Sequence, residues 1–144
     1  MSLDHEAFVG YTVRMTVKIH NITVDAHDAY AQSLWWTRVT GWQEASDDPN
    51  EPHHTHCWIG PGDGSPGLLF VNVPEHKTLK NRMHLDVQPI DRSRDQEVEL
   101  LVGMGASVVD DHRQPDGRGF VVMADPEGNE FCVERSLAER AASA

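Results

Sequence analysis

Apolar and polar positions alternate along residues 11–19. Tyr11, Val13, Met15, Val17 and Ile19 are set against Thr12, Arg14, Thr16 and Lys18. A period of two is a strand signal. After His20 the apolar positions become Ile22 and Val24, so the phase slips by one residue. A bulge near His20, or an extra N-terminal strand ending there, would produce that slip. The period then lengthens. Ala31, Leu34, Trp35 and Val39 fall at helical spacing, with Asp28 suited to the N-cap and Gly41 to the left-handed position after the last turn. Trp35 takes a core-facing position and Trp36 an adjacent face. Apolar β-like runs come next at 42–45, 56–60 and 67–73.

The same order recurs. KIHNITVDAHDAYAQSLWWTRVTGW (18–42) and RMHLDVQPIDRSRDQEVELLVGMGA (82–106) each carry a β-prone run around a histidine, a polar turn, a helical stretch and a glycine. The spacing from His20 to Gly41 equals that from His84 to Gly105. Val98, Leu101 and Val102 supply the helical spacing after a polar start at Ser93 to Asp95, and β-like runs succeed it at 106–110, 119–124 and 130–134. The turns GPGDGSPG, QPDGRG and DPEGN separate them. Each half therefore reads βαβββ, at 18–73 and 82–136, with PEHKTLKNR joining them. The expected class is α+β: a single domain over 18–136, an extension at 1–17 and a short tail at 137–144.

Composition narrows the partners. The chain of 144 residues has a formal net charge of −11, which argues against a nucleic-acid backbone or an anionic membrane as partner. Two cysteines, Cys57 and Cys132, make no disulfide framework. The first twenty residues have no apolar core after a basic start, and no apolar run is long enough to span a bilayer, so a cytoplasmic protein is expected. GPGDGSPG is a turn between strands and not a phosphate loop, because no Lys-Ser/Thr comes after it.

Paired βαβββ modules with a histidine in the first strand of each resemble the vicinal oxygen chelate superfamily. That superfamily includes glyoxalase I, fosfomycin resistance enzymes, extradiol dioxygenases and bleomycin resistance proteins. The specific stretches are LWWTRVTGW (34–42), VPEHKTLKNRMHLDV (73–87), LLVGMGASVV (100–109) and ADPEGNEFCVE (124–134), and they resemble the glyoxalase-like branch. The resemblance implies curved mixed sheets around a cup-shaped site, helices on the outer face, and a homodimer. In metal-using members the first and last strands of each module supply ligands to a metal that chelates two adjacent substrate oxygens. His20 and His84 match the two first-strand ligands. The last-strand ligand, usually a glutamate three residues after the Asn of the Asp-Pro-x-Gly-Asn turn, is here Cys132, and its counterpart in the first module is Val71.

The site can be read in two ways. In one, a divalent metal sits on His20, His84 and either Cys132 or Glu134. Two imidazoles and a thiolate favour zinc; two imidazoles and a carboxylate resemble the facial triad of iron oxygenases and would also hold zinc, nickel or manganese. Glu134 or Glu130, where it is not a ligand, would move a proton. In the other, no metal binds and Cys132 is a small buried hydrophobe. Trp58, Phe70, Val71 and Arg82 are the candidate pocket residues, the aromatics for stacking and Arg82 for an anionic substrate group. The stretch PHHTHCWIG, with His53, His54, His56 and Cys57, is expected to be a solvated segment that collects metal adventitiously. Three functions are in view: a glyoxalase-like lyase or isomerase acting on a small oxygenated molecule, a metal-free protein that sequesters a natural product or antibiotic, and an extradiol-type dioxygenase. Cys132 in the carboxylate's place disfavours the dioxygenase, and the first function is preferred on the two matched histidines.

Overall fold

A computed structural model of the chain describes residues 16–143. Residues 11–15 of the strand expected over 11–19, and with them most of the 1–17 extension, lie outside them; residues 16–20 are described and carry no regular element. The first module comprises β1 (Asn21–Ala26), α1 (Ala29–Thr40), β2 (His56–Ile59) and β3 (Gly67–Asn72). Its sheet has the order β1-β3-β2, with β1 parallel and β2 antiparallel to the central strand. The second module comprises β4 (Asp86–Val87), α2 (Arg94–Gly103), β5 (Ser107–Asp111), β6 (Val121–Ala124) and β7 (Glu130–Val133), in the order β4-β7-β6-β5. A short helix, α3 (Leu137–Ala142), ends the described chain. The class is α+β with two mixed sheets, and the second module is a full βαβββ unit.

The first module departs from that pattern at 42–45. The expected strand is reduced to two isolated bridges, Gln43 to Gly60 and Ala45 to Asp48. The Ala45 bridge folds the run back on itself. Asn50 then fills the place of a neighbouring strand: its side chain donates to the Trp58 carbonyl at 2.9 Å and accepts from the Trp58 N–H at 3.1 Å. One side-chain amide thus satisfies backbone groups on the edge of β2 that would otherwise be open.

The helices start where local chemistry says they should. The Asp28 side chain accepts from Ala31 N at the start of α1, and Gly41 ends it at φ 72. Ser93 and Gln96 form a capping box on α2. The buried face of α1 differs from the apolar spacing. Ala29, Gln32, Ser33, Trp35 and Trp36 are buried, whereas Leu34 is exposed. Gln32 enters the core because a buried acceptor waits there. Asp125, 3% exposed, accepts from Gln32 Nε2 at 2.8 Å and Trp36 Nε1 at 3.1 Å through Oδ2, and from the N–H groups of Glu127 and Asn129, both at 3.0 Å, through Oδ1. Ser33 enters beside it by returning its hydroxyl to the Tyr30 carbonyl at 2.8 Å. Glu127 accepts from the backbone of His27 and Asp28 just ahead of α1. The turn before β7 is therefore bonded to the first module's helix at two points. Phe131, the second residue of β7, packs edge-on against Trp35 and Trp36 at centroid distances of 6.0 and 5.2 Å.

One core continues through both modules. Cys57, Ile59, Leu68 and Phe70 join Val98, Leu101, Val121, Met123 and Val133 in a single cluster. Arg94, 4% exposed, donates to the carbonyls of Gly117, Arg118 and Gly119 and ties α2 to the β5–β6 connection. The Trp58 indole lies across Gly60 and Gly67, so a methyl at either would overlap the ring.

Two stability changes are expected. Gly67→Ala should lower the urea midpoint by the equivalent of about 1–3 kcal/mol, because its methyl meets the Ile59 carbonyl as well as the indole. Asp125→Ala should cost about 3 kcal/mol or more, since it leaves two buried side-chain donors and two turn amides without their acceptor. The tryptophan emission should shift red as the Trp36 contact is lost; an unchanged midpoint in urea would refute the role given to Asp125.

Candidate functional site

The two sheets leave edges at β1 and β4, and a cleft of about 400 Å³ lies beside β1 and the segment leading into β4. Ile22 and Val24 of β1, with Leu68, Trp36 and Phe131, give it an apolar lining; Met83 and Leu85 complete the opposite wall. Thr23, Asp25, Asn81, His84, Asn129 and Glu130 bring polar groups to it. A mostly apolar cleft with a few convergent polar groups is the usual form of a small-molecule site.

His84 stands at this wall and also belongs to a second arrangement. Its Nδ1 lies 3.3 Å from Asp86 Oδ1 and 3.6 Å from Cys132 Sγ. Donor atoms of the three residues all fall within 4.8 Å of one another. The backbone explains the grouping. β4 runs parallel to β7 with Asp86 opposite Cys132, and His84 precedes Asp86 by two residues on the same strand path. Burial pushes the Cys132 thiol up to about 11, helped by the Asp86 and Glu134 carboxylates, so the resting group is a protonated thiol. One nitrogen, one oxygen and one sulfur donor form a set that suits a divalent ion of zinc type, and an ion there would take the thiol as thiolate. Among the described residues one other such group exists, Glu51, His53 and His54, on the surface ahead of β2.

The remaining expected site residues are scattered. His20 is exposed, immediately before β1, and is in neither group. Glu134 is half-buried and pairs with Arg140 at 3.2 Å. Glu130 lines the cleft, with its carboxylate held by Lys77 Nζ at 2.9 Å and by the Asn81 N–H at 3.0 Å. Burial pushes the Glu130 carboxyl up, but the bonds from Asn81 and Lys77 outweigh it and hold the group below its ordinary value of 4.5. Either glutamate would have to leave its cation to move a proton. Trp58 is half-buried and donates to Asn21 Oδ1 at 3.0 Å, Val71 is half-buried, and Phe70 is fully buried in the core. Arg82 is exposed; its neighbours Asn81 and Met83 line the cleft. Sequence reasoning passed over Asp86 and Trp36 as site residues. The signal for Asp86 is present in RMHLDV, where alternation sets residues 84 and 86 on one face.

Comparison with known proteins identifies the class. The profile of the Glyoxalase-like domain matches residues 21–134, and the chain belongs to that family. Among curated proteins no sequence matches. Solved structures with the same fold come from the glyoxalase, bleomycin resistance and dioxygenase superfamily, the vicinal oxygen chelate group. One is a glyoxalase/bleomycin resistance protein/dioxygenase family enzyme from Burkholderia phytofirmans PsJN, 17% identical with a TM-score of 0.62, over 81% of this chain and 97% of that one. Another is the fosfomycin resistance protein FosX from Mesorhizobium loti, 17% identical with a TM-score of 0.61, over 89% and 99%. A third is TioX from Micromonospora sp. ML1, 18% identical with a TM-score of 0.55, over 84% and 100%. At these identities the likeness is one of fold.

Glu130 anchors the connection between the modules, and this can be measured. Glu130→Gln should speed hydrogen exchange at the Asn81 amide about tenfold, the worth of one charge-assisted bond. The wild type should lose the same protection as pH falls from 4.5 through the lower value the carboxyl has in the fold, because a depressed carboxyl gives stability that is complete above its unfolded value and is lost only as the folded group takes up its proton.

Proposed function

We propose that this protein is an enzyme of the glyoxalase-like family, of lyase or isomerase type, which holds a small oxygenated organic molecule in the cleft beside β1 and the segment leading into β4. One observation carries the reading: the His84 imidazole lines the cleft and also meets Cys132 and Asp86. A group able to polarise or deprotonate a substrate thus borders an apolar space of ligand size. Trp36 and Phe131 would hold the carbon frame, and Thr23 and Asn81 would bond its oxygens. His84 and Cys132 are the matched positions at which one divalent ion, of the zinc, nickel, manganese or iron group, would be held. When bound, such an ion supplies Lewis-acid polarisation of a substrate oxygen. His20 would join those donors only after a shift of residues 16–20. We take the working form to be a cytoplasmic homodimer; the exposed apolar side chains of Val17, Ile19, Met83 and Ile90 support a covering copy.

The apolar lining of the cleft, with valine at the fourth matched position, favours a second reading: a metal-free protein that sequesters a hydrophobic natural product or antibiotic. Both are tested by Trp fluorescence titration with two probe sets, α-hydroxyketones and catechols on one side and oxygen-poor aromatics on the other. For the enzyme, the oxygenated set should bind and His84→Ala should weaken it at least tenfold while sparing the aromatics. Binding of aromatics alone, indifferent to His84→Ala, would establish the sequestering reading. Failure of both sets to bind would overturn the cleft as a ligand site.

A further inference from the structure

We propose that Asp86 is a metal ligand, and that His84, Asp86 and Cys132 form a three-donor site for one zinc-like cation built from the second module alone. The placing of this site beside a substrate rests on the reading of the cleft given above; the site itself rests on its own geometry. The superfamily pattern draws ligands from four strands across two modules. Here the three donors sit on two adjacent strand paths, β4 with its lead-in and β7, and their register is fixed by the Asp86–Cys132 pairing.

The separations match the edges of a zinc tetrahedron, and the N···O distance is long for a hydrogen bond. Zinc bonds nitrogen and oxygen at about 2.0–2.2 Å and sulfur at about 2.3 Å, so a tetrahedral angle near 109° gives edges of about 3.3 Å for N···O and about 3.6 Å for N···S. The observed values are 3.3 Å from His84 Nδ1 to Asp86 Oδ1 and 3.6 Å from His84 Nδ1 to Cys132 Sγ. A hydrogen bond between nitrogen and oxygen would be shorter, near 2.9 Å. Three protein donors leave room for substrate, as catalytic zinc sites do. A thiolate in the set selects zinc or cadmium over manganese or magnesium. Asp86 in this account takes the place that the resemblance gives to His20.

Cadmium alone is the probe, because its thiolate complex has an ultraviolet charge-transfer band that reports the sulfur directly. The protein is stripped with chelator and carries His53→Ala and His54→Ala to silence the surface group. One equivalent should bind with that band. Cys132→Ser should abolish the band, and Asp86→Asn should weaken affinity at least tenfold. His20→Ala should leave both unchanged. Circular dichroism and a thermal melt establish that each variant is folded; the Asp86 side chain is 58% exposed, so its amide should not unfold the chain. Asp86→Asn binding like its parent, His20→Ala losing as much as Asp86→Asn, or no band at all would each overturn the proposal. The oxygenated probes are titrated in parallel on stripped protein. If they bind where cadmium fails, the Asp86 site falls and the cleft stands. If cadmium binds as expected and no probe does, the site stands and the cleft reading falls.

Discussion

The arrangement depends on one buried carboxylate. Asp125 collects four donors, two from the side chains of α1 and two from the backbone of the turn ahead of β7. A buried charge of this kind is tolerable only when its lone pairs are met by well-placed N–H groups, and each bond to a charged acceptor is worth more than one between neutral groups. The four bonds have opposite origins in the chain. Gln32 lies 93 residues from its acceptor, whereas the turn amides are local. The carboxylate is therefore the point at which a short-range turn and a long-range helix contact are satisfied together. It carries the start of β7 into register against the first module.

That register builds the site. With the turn held, Phe131 points into the tryptophan pair of α1 and the cleft acquires its floor. Alternation along the strand then sets Cys132 on the opposite face, facing the donors of β4. Glu130 reaches the connection between the modules and closes on Lys77 and the Asn81 amide, which sets residues 81–85 as the cleft's second wall. Three consecutive residues of one strand thus have three separate jobs: Glu130 clamps, Phe131 fills the core and Cys132 presents a thiol. Each is dictated by the pleat and by the anchoring of the turn before it.

Much of this is legible in the chain. The helix starts at Asp28 and Ser93, the left-handed glycine at 41 and the turn before β7 are local signals, and their repetition at matched spacing implies two modules. The features that escape the sequence are decided at a distance. Apolar spacing cannot set the face of α1, because the carboxylate far along the chain draws Gln32 inward with Ser33 beside it, while Leu34 is left outside. The strand at 42–45 dissolves because the Asn50 side chain takes its bonding role on β2. Aromatics on strands carry no label for their face. Phe70, expected as a pocket residue, is in the core; Trp36, assigned only to a helix face beside the core, lies in the floor of the cleft.

Cysteine at the position usually held by glutamate therefore has a coherent setting. A lone thiol replacing a carboxylate would remove charge from a metal site and weaken it. On this strand pair the carboxylate reappears one strand away, at Asp86, directly opposite the thiol in the ladder. On the proposed site the substitution would exchange the source of the charge without emptying the site, and would shift the donors from a set spread over both modules to a set held by one. A site held by one module is set by a single short ladder, β4 against β7. Its geometry depends on both strands being correctly placed, and the placement of β7 returns to the four bonds of Asp125, two of which come from the first module's helix.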